Sequence, residues 1–183
     1  AFEKAARFNG EALHQLQEYE IPLVGLDPAM TLVYRQEYAK TLGSHKAPTV
    51  LLPQEWLANT LPQSQIVKDA DPYHFLPHCT EKTNEPSSIG LWQQVYERMG
   101  LKLSVQASGC CGMSGTYGHE TKNAGTSVVI YKQSWAPLVK KFNATGRLLA
   151  DGYSCRSQVK RQEGVTVLHP LQALLAVVRN IAA

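Results

Sequence analysis

The sequence predicts an α/β fold: a mainly parallel sheet with flanking helices. Three observations carry that expectation. Short apolar runs alternate with helical stretches through the second half of the chain. The connections between them are short, which implies right-handed crossovers joining parallel strands. And 44% of the 183 residues are apolar, enough to build a core, which rules out the disordered class. At roughly 150 residues per domain, the length suits one domain, or one domain with an appendage.

Residues 2–19 place apolar side chains at Phe2, Ala5, Ala6, Leu13 and Leu16, a helical stripe interrupted at Asn9-Gly10. Residues 21–26 form a short apolar run that reads as a buried strand. Asp27 then suits a helix N-cap with Pro28 in the first turn, opening a helix to about Lys40. Gly, Ser, His and Pro mark 42–48 as a loop, and 53–61 reads as another short helix. In the second half, 73–78 is a candidate strand ending at Cys79. Ser87-Ser88 can cap a helix over 89–99 that Gly100 closes. Residues 101–106 alternate apolar and polar as a strand does. A loop with four glycines in the ten residues from Gly109 follows. Residues 119–142 are mostly helical with a break expected at Pro137. The chain ends with a strand at 147–150, a turn at Asp151-Gly152, a helix beginning at Ser154, a short strand at 165–168 and an apolar helix over 170–180. The pattern divides the chain into an N-terminal α/β part, residues 1–68, and a cysteine-rich part, residues 69–183.

The charge pattern excludes several functions. Eighteen basic and fifteen acidic residues give a net +3, spread without a long like-charged block, so nothing suggests a nucleic-acid groove. No apolar run approaches the length that spans a bilayer. The expected location is the cytoplasm, with peripheral membrane attachment allowed. The chain begins Ala-Phe-Glu-Lys, with neither an initiator Met nor the apolar stretch of a signal peptide, as a piece of a longer chain would.

The cysteines are the most informative residues. Four in 183 are too few for a disulfide scaffold, and the adjacent pair Cys110-Cys111 could bond to itself only through a strained ring. All four lie beside Gly, Ser, Thr or His, whereas inert buried cysteines keep apolar company. Cys79, Cys110-Cys111 and Cys155 each follow a predicted strand. In a parallel sheet, strand carboxyl ends share one edge, where α/β proteins place their ligand sites. Thiolates gathered there repel one another unless a cation holds them, so the set reads as a soft-metal or iron–sulfur site. Gly109 and Gly112 supply the backbone freedom that adjacent ligands require, and their exposed amides suit hydrogen bonds to a cluster.

The stretch Gly109-Cys110-Cys111-Gly112-Met113-Ser114-Gly115-Thr116-Tyr117 resembles the signature of the cysteine-rich CCG domain. That family includes a subunit of heterodisulfide reductase and the iron–sulfur subunits of glycolate, lactate and glycerol-3-phosphate oxidation. Its pattern is one Cys, a Cys-Cys-Gly about thirty residues on, and a later Cys-x-x-Cys. Cys79, Cys110, Cys111 and Cys155 take those positions, over about residues 70 to 180. Residues 152–158 and 24–31 resemble more narrowly the C-terminal region of large flavin-linked oxidases akin to D-2-hydroxyglutarate and D-lactate dehydrogenases. Residues 21–38 resemble the tail of a first CCG copy, with Asp27-Pro28-Ala29 where its cysteines would stand.

The resemblance implies an electron-transfer domain without substrate chemistry of its own. FAD would lie on an upstream domain of the same chain and an electron acceptor would take the electrons. One departure matters: Gln158 stands where the family has its last cysteine, leaving four ligands, Cys79, Cys110, Cys111 and Cys155. Four thiolates suit a [4Fe-4S] cluster and equally a tetrahedral zinc. A structural zinc module and a thiol–disulfide module using Cys110 or Cys111 with Cys155 therefore stay open. His78 and His119 lie near the expected ligands, and a hydrogen-bonded structural role is the expectation for each. His169 is expected to open the last helix, and Trp56, Trp92 and Trp135 to serve as core or interface anchors.

Overall fold

The computed structural model describes residues 1–63, 67, 69 and 71–181, and the boundary expected at residue 68 lies outside them. The chain falls into two compact units, Ala1–Thr60 and Leu61–Ala183. Each contains parallel strands and helices, so the α/β class holds, with eight α-helices and two small parallel sheets among the described residues.

In the first unit α1 runs unbroken over Phe2–Glu18. The expected interruption at Gly10 does not occur, because the bare glycine lets the helix approach Leu42. A Cβ there would stand 2.9 Å from the Leu42 Cδ1. Strand β1 is Leu23–Val24, and α2 (Pro28–Leu42) begins as expected, with the Asp27 carboxylate accepting from the Met30 N–H at 3.2 Å. Strand β2, Val50–Leu51, was not expected, since two residues are too few to show periodicity. It pairs parallel with β1 and leads into α3, Pro53–Thr60. Arg35 joins these pieces: its Nε donates to the Val50 carbonyl at 2.8 Å and its fork holds Glu55, which also accepts from the Leu52 N–H.

The second unit is built on β3 (Tyr73–Leu76), with β4 (Leu103–Val105) and β5 (Leu148–Ala150) parallel on either side, in the order β4-β3-β5. The strand expected at 165–168 is reduced to a single parallel bridge from Leu168 to Leu149. Between strands run α4 (Cys79–Asn84), which the sequence reading missed, α5 (Ser88–Arg98), α6 (Ala124–Phe142), α7 (Tyr153–Glu163) and the terminal α8 (Pro170–Ile181).

Strand alternation buries both sheet faces. Phe75 turns to Trp92 of α5, and Leu76 turns to a cluster with Tyr131, Trp135 and Val139 of α6 and Val159 of α7. Tyr96 completes the first layer by donating its hydroxyl to the Pro170 carbonyl at 3.0 Å. Helix α6 passes straight through Pro137, against expectation. The proline forfeits one helical hydrogen bond. Trp135 and Val139 are buried on either side of it, while Pro137 itself faces solvent. Tertiary burial on the opposite face outweighs the missing bond.

Candidate metal centre

The parallel sheet delivers all four cysteines to one edge. Cys79 opens α4 just past β3, Cys110-Cys111 follow β4, and Cys155 is the third residue of α7 after β5. All four are free thiols; Cys111 and Cys155 are buried and the other two half-buried.

The loop with the cysteine pair is pinned to α6. The Gly109 N–H donates to the Ser134 hydroxyl, and the Trp135 indole N–H donates to the Gly109 carbonyl at 3.0 Å. Lys82 of α4 reaches across to the Ser108 carbonyl and, at 3.2 Å, to its hydroxyl. Gly112 has φ +85°, and a Cβ there would lie 2.2 Å from the Ser127 carbonyl oxygen. Only glycine both tolerates that torsion and lets the loop rest directly on the helix backbone. This tight seat turns Cys111 inward.

The thiols perturb one another. The Cys155 thiol, aided by the amides of Met113, Cys111 and Ser114, draws Cys111 down to about 7 against the effect of burial. The same contact with Cys111, then burial, pushes Cys155 well above the usual thiol value. Burial pushes Cys110 up, partly opposed by the Gly112 N–H at 3.3 Å from its sulfur, while Cys111 and Cys79 raise it further. Cys155 also feels Cys79. The four groups are thus within electrostatic reach as two contacting pairs, Cys79 with Cys110 and Cys111 with Cys155.

Among the described residues no group of three or more His, Cys, Asp or Glu side chains could hold a metal ion as placed. A single zinc draws its sulfurs in to bonds of roughly 2.3 Å, whereas a cluster of several irons keeps its thiolates farther apart. Four free thiols within electrostatic reach of one another are the donor type that suits a soft metal or an iron–sulfur cluster. Amides directed at Cys110 and Cys111 add the N–H groups that bound sulfur accepts.

His78 and His169 take structural roles at helix starts. His78 Nδ1 accepts from the Thr80 N–H at 3.2 Å and caps α4; His169 Nδ1 accepts from the Leu171 N–H at 3.1 Å at the start of α8. His119 is exposed beside Arg161, whose guanidinium donates to the Gly118 carbonyl at 3.0 Å. Trp92 and Trp135 are core residues, and Trp56 is exposed.

Sequence reasoning missed a buried acid pair behind the thiols. Glu81 and Asp151 are 0% and 1% exposed. Asp151 accepts the His78 N–H at 2.9 Å, and Glu81 accepts the Ser88 hydroxyl at 2.6 Å. Burial first, then the neighbouring Glu81 carboxyl, raises Asp151 well above the carboxylate range. Asp151 follows β5 and Glu81 lies in α4, so the pair ties together the two strand ends that carry Cys155 and Cys79. No spacing rule would have joined residues about seventy positions apart.

The chain is similar to segments of known redox enzymes. A protein named D-2-hydroxyglutarate dehydrogenase from Pseudomonas putida is 54% identical over 175 residues, which covers 96% of this chain and 17% of the relative. The Escherichia coli protein of the same name is 43% identical over 180 residues, 97% of this chain and 18% of the relative. One subunit of the anaerobic glycerol-3-phosphate dehydrogenase of Escherichia coli is 26% identical over 165 residues, 84% of this chain and 40% of the relative. The chain therefore spans less than a fifth of the length of the first two. No protein-family model and no solved structure matches it. Among the described residues, no helix is long and apolar enough to cross a membrane.

Proposed function

We propose that this chain is the iron–sulfur electron-transfer part of a longer, FAD-linked dehydrogenase of 2-hydroxyacids, with a cysteine-rich domain of the CCG type. The observation that carries the reading is the convergence of Cys79, Cys110, Cys111 and Cys155 at the carboxyl edge of β4-β3-β5, on a glycine-seated loop. Its support from relatives is their names, which are those of dehydrogenases, and the small share of their length that this chain spans. The four thiolates would hold a [4Fe-4S] cluster, which when bound supplies one-electron transfer. A hydride from substrate needs a flavin to split it into single electrons, and that flavin belongs to the upstream part of the longer chain in this reading.

The residues of this chain bind and shield. Cys111 and Cys155 sit in the core cluster with Tyr131, Trp135 and Met113, away from water, while half-buried Cys79 and Cys110 form the side through which a partner approaches. Free thiols belong in a reducing compartment, so the location proposed is the cytoplasm.

Anaerobic reconstitution with iron and sulfide tests the reading, the expected result being a brown protein with about four irons per chain by the four-thiolate rule. In the longer protein, Cys111→Ser should leave flavin reduction by substrate intact and slow reoxidation by the acceptor. Unimpaired reoxidation would remove the domain from the electron path. The contact between Cys111 and Cys155 favours a second reading, a thiol–disulfide module, for which oxidation must yield a disulfide between those two residues. A colourless protein with that disulfide would replace the first reading.

A further inference from the structure

Helix α1 is apolar on two sides. One side packs within its own unit: Ala6 and Gly10 are buried, Gly10 against Leu42, and Leu13 and Gln17 continue that line half-buried. The other side carries Ala5, Phe8, Ala12, Leu16 and the C-cap residue Tyr19, each three or four positions after the last. At about 100° per residue, these five fall within an arc of about 80°. All five are exposed, Phe8 to 74%, Leu16 to 41% and Tyr19 to 78%.

A helix side that faces water normally carries polar residues, and a lone exposed apolar side chain needs no explanation. A stripe with two aromatic rings that runs the length of a helix does need one. The charged residues Glu3, Lys4, Arg7, Glu11 and Glu18 all stand on the third side of α1, so the stripe is continuous and uninterrupted by charge.

Three kinds of occupant could cover it, and their chemistry separates them. A helix that lies on anionic lipid carries a basic polar face. Here three glutamates outnumber Lys4 and Arg7, and Arg7 is already paired with Glu3 at 2.7 Å. A freely diffusing second copy needs about 800 Å² and about 20–30 residues on each side for a stable contact, far more than one helix side of this kind offers. A domain tethered in the same polypeptide needs much less, because its linker supplies an effective concentration of millimolar order. The relatives possess such additional sequence: the Pseudomonas putida protein matches 96% of this chain, which spans only 17% of it. From these observations we propose that the exposed stripe of α1 is the surface on which the rest of a longer chain docks. The inference rests on the reading above that this chain is part of a longer protein, and not on the iron–sulfur assignment.

Hydroxyl-radical footprinting of this chain alone and of the longer protein tests it, with buried Tyr38, 4% exposed, as the reference that the unit is folded. Oxidation of Phe8 and Tyr19 should be fast in the chain alone and several-fold slower, toward that of Tyr38, in the longer protein. Equal oxidation in the two overturns the inference, as does protection already present in the chain alone. Protection in the longer protein that appears only with added anionic vesicles also overturns it. Phe8→p-benzoylphenylalanine in the longer protein then identifies the occupant. Irradiation should crosslink position 8 to a peptide outside this segment, and a crosslink to the same segment of a second copy overturns the inference. Reduction of the flavin by 2-hydroxyacids in the same preparation reads the dehydrogenase assignment separately. Its absence beside a protected Phe8 overturns that assignment and leaves the docking surface standing.

Discussion

The buried thiols of Cys111 and Cys155 touch, and the contact splits their acidities: Cys111 is drawn down to about 7 while Cys155 is driven up. Residues far apart in the chain are therefore one chemical unit.

If these thiols hold the centre, single Cys→Ser changes at positions 79, 110, 111 and 155 should each lower the iron retained after anaerobic reconstitution. The largest loss is expected at Cys111, the residue with the most amide donors directed at it. Iron analysis per chain checks this. Full retention in all four variants would falsify the four-thiolate site.

The acidity split gives a pH prediction for the metal-free chain. A thiol lowered from 9.0 to about 7 on folding contributes stability that is full above the unfolded value and lost as pH falls through about 7. One thiolate should therefore appear, by its ultraviolet absorbance, near neutral pH. Cys155→Ala removes the first cause of the lowering, so that titration should move upward. An unmoved midpoint would mean the amides alone set it.

Asp151 behaves in the opposite sense. Its raised value means the folded chain keeps a proton that the unfolded chain releases above about 3.8, so its contribution is full below that pH and declines as pH rises. Asp151→Asn keeps the shape and cannot ionise. In urea titrations of metal-free protein, the variant should gain on the wild type between acid and neutral pH. Parallel pH profiles for the two proteins would exclude a shared proton on this pair.

Glycine substitutions separate strain from collision. Gly112→Ala forces a positive φ, at about 1–2 kcal/mol, and a clash with the Ser127 carbonyl, at about 1–3 kcal/mol more, and should abolish iron retention. Gly115→Ala meets the same strain, at φ +62°, in open space, so its cost should stop at about 1–2 kcal/mol with iron kept. Comparable losses in both would show that the loop's seat on α6 does not matter.

Much of this arrangement was legible because local chemistry specifies it. Asp27-Pro28 caps α2 through a bond to Met30, three residues away, and apolar runs announced β3, β4 and β5 without reference to the rest of the chain. Once those strands are parallel, each following cysteine must fall at the same edge, so the four-thiol set could be read from order alone. The resemblance to the CCG pattern pointed to the same residues.

Other features depended on what each segment meets in space. Val50–Leu51 is a strand only because β1 lies beside it, and α6 survives Pro137 only because its opposite face is buried. The sequence by itself determined which groups reach the sheet edge, since strand order and spacing along the chain decide that. Tertiary structure alone decided that Cys111 pairs with Cys155, that Glu81 meets Asp151, and that Gln158 keeps a buried carbonyl without a donor. Acidity and hydrogen-bond satisfaction are set by neighbours within a few ångströms and by exclusion of water, and residues far apart in the chain acquire both only when the fold closes.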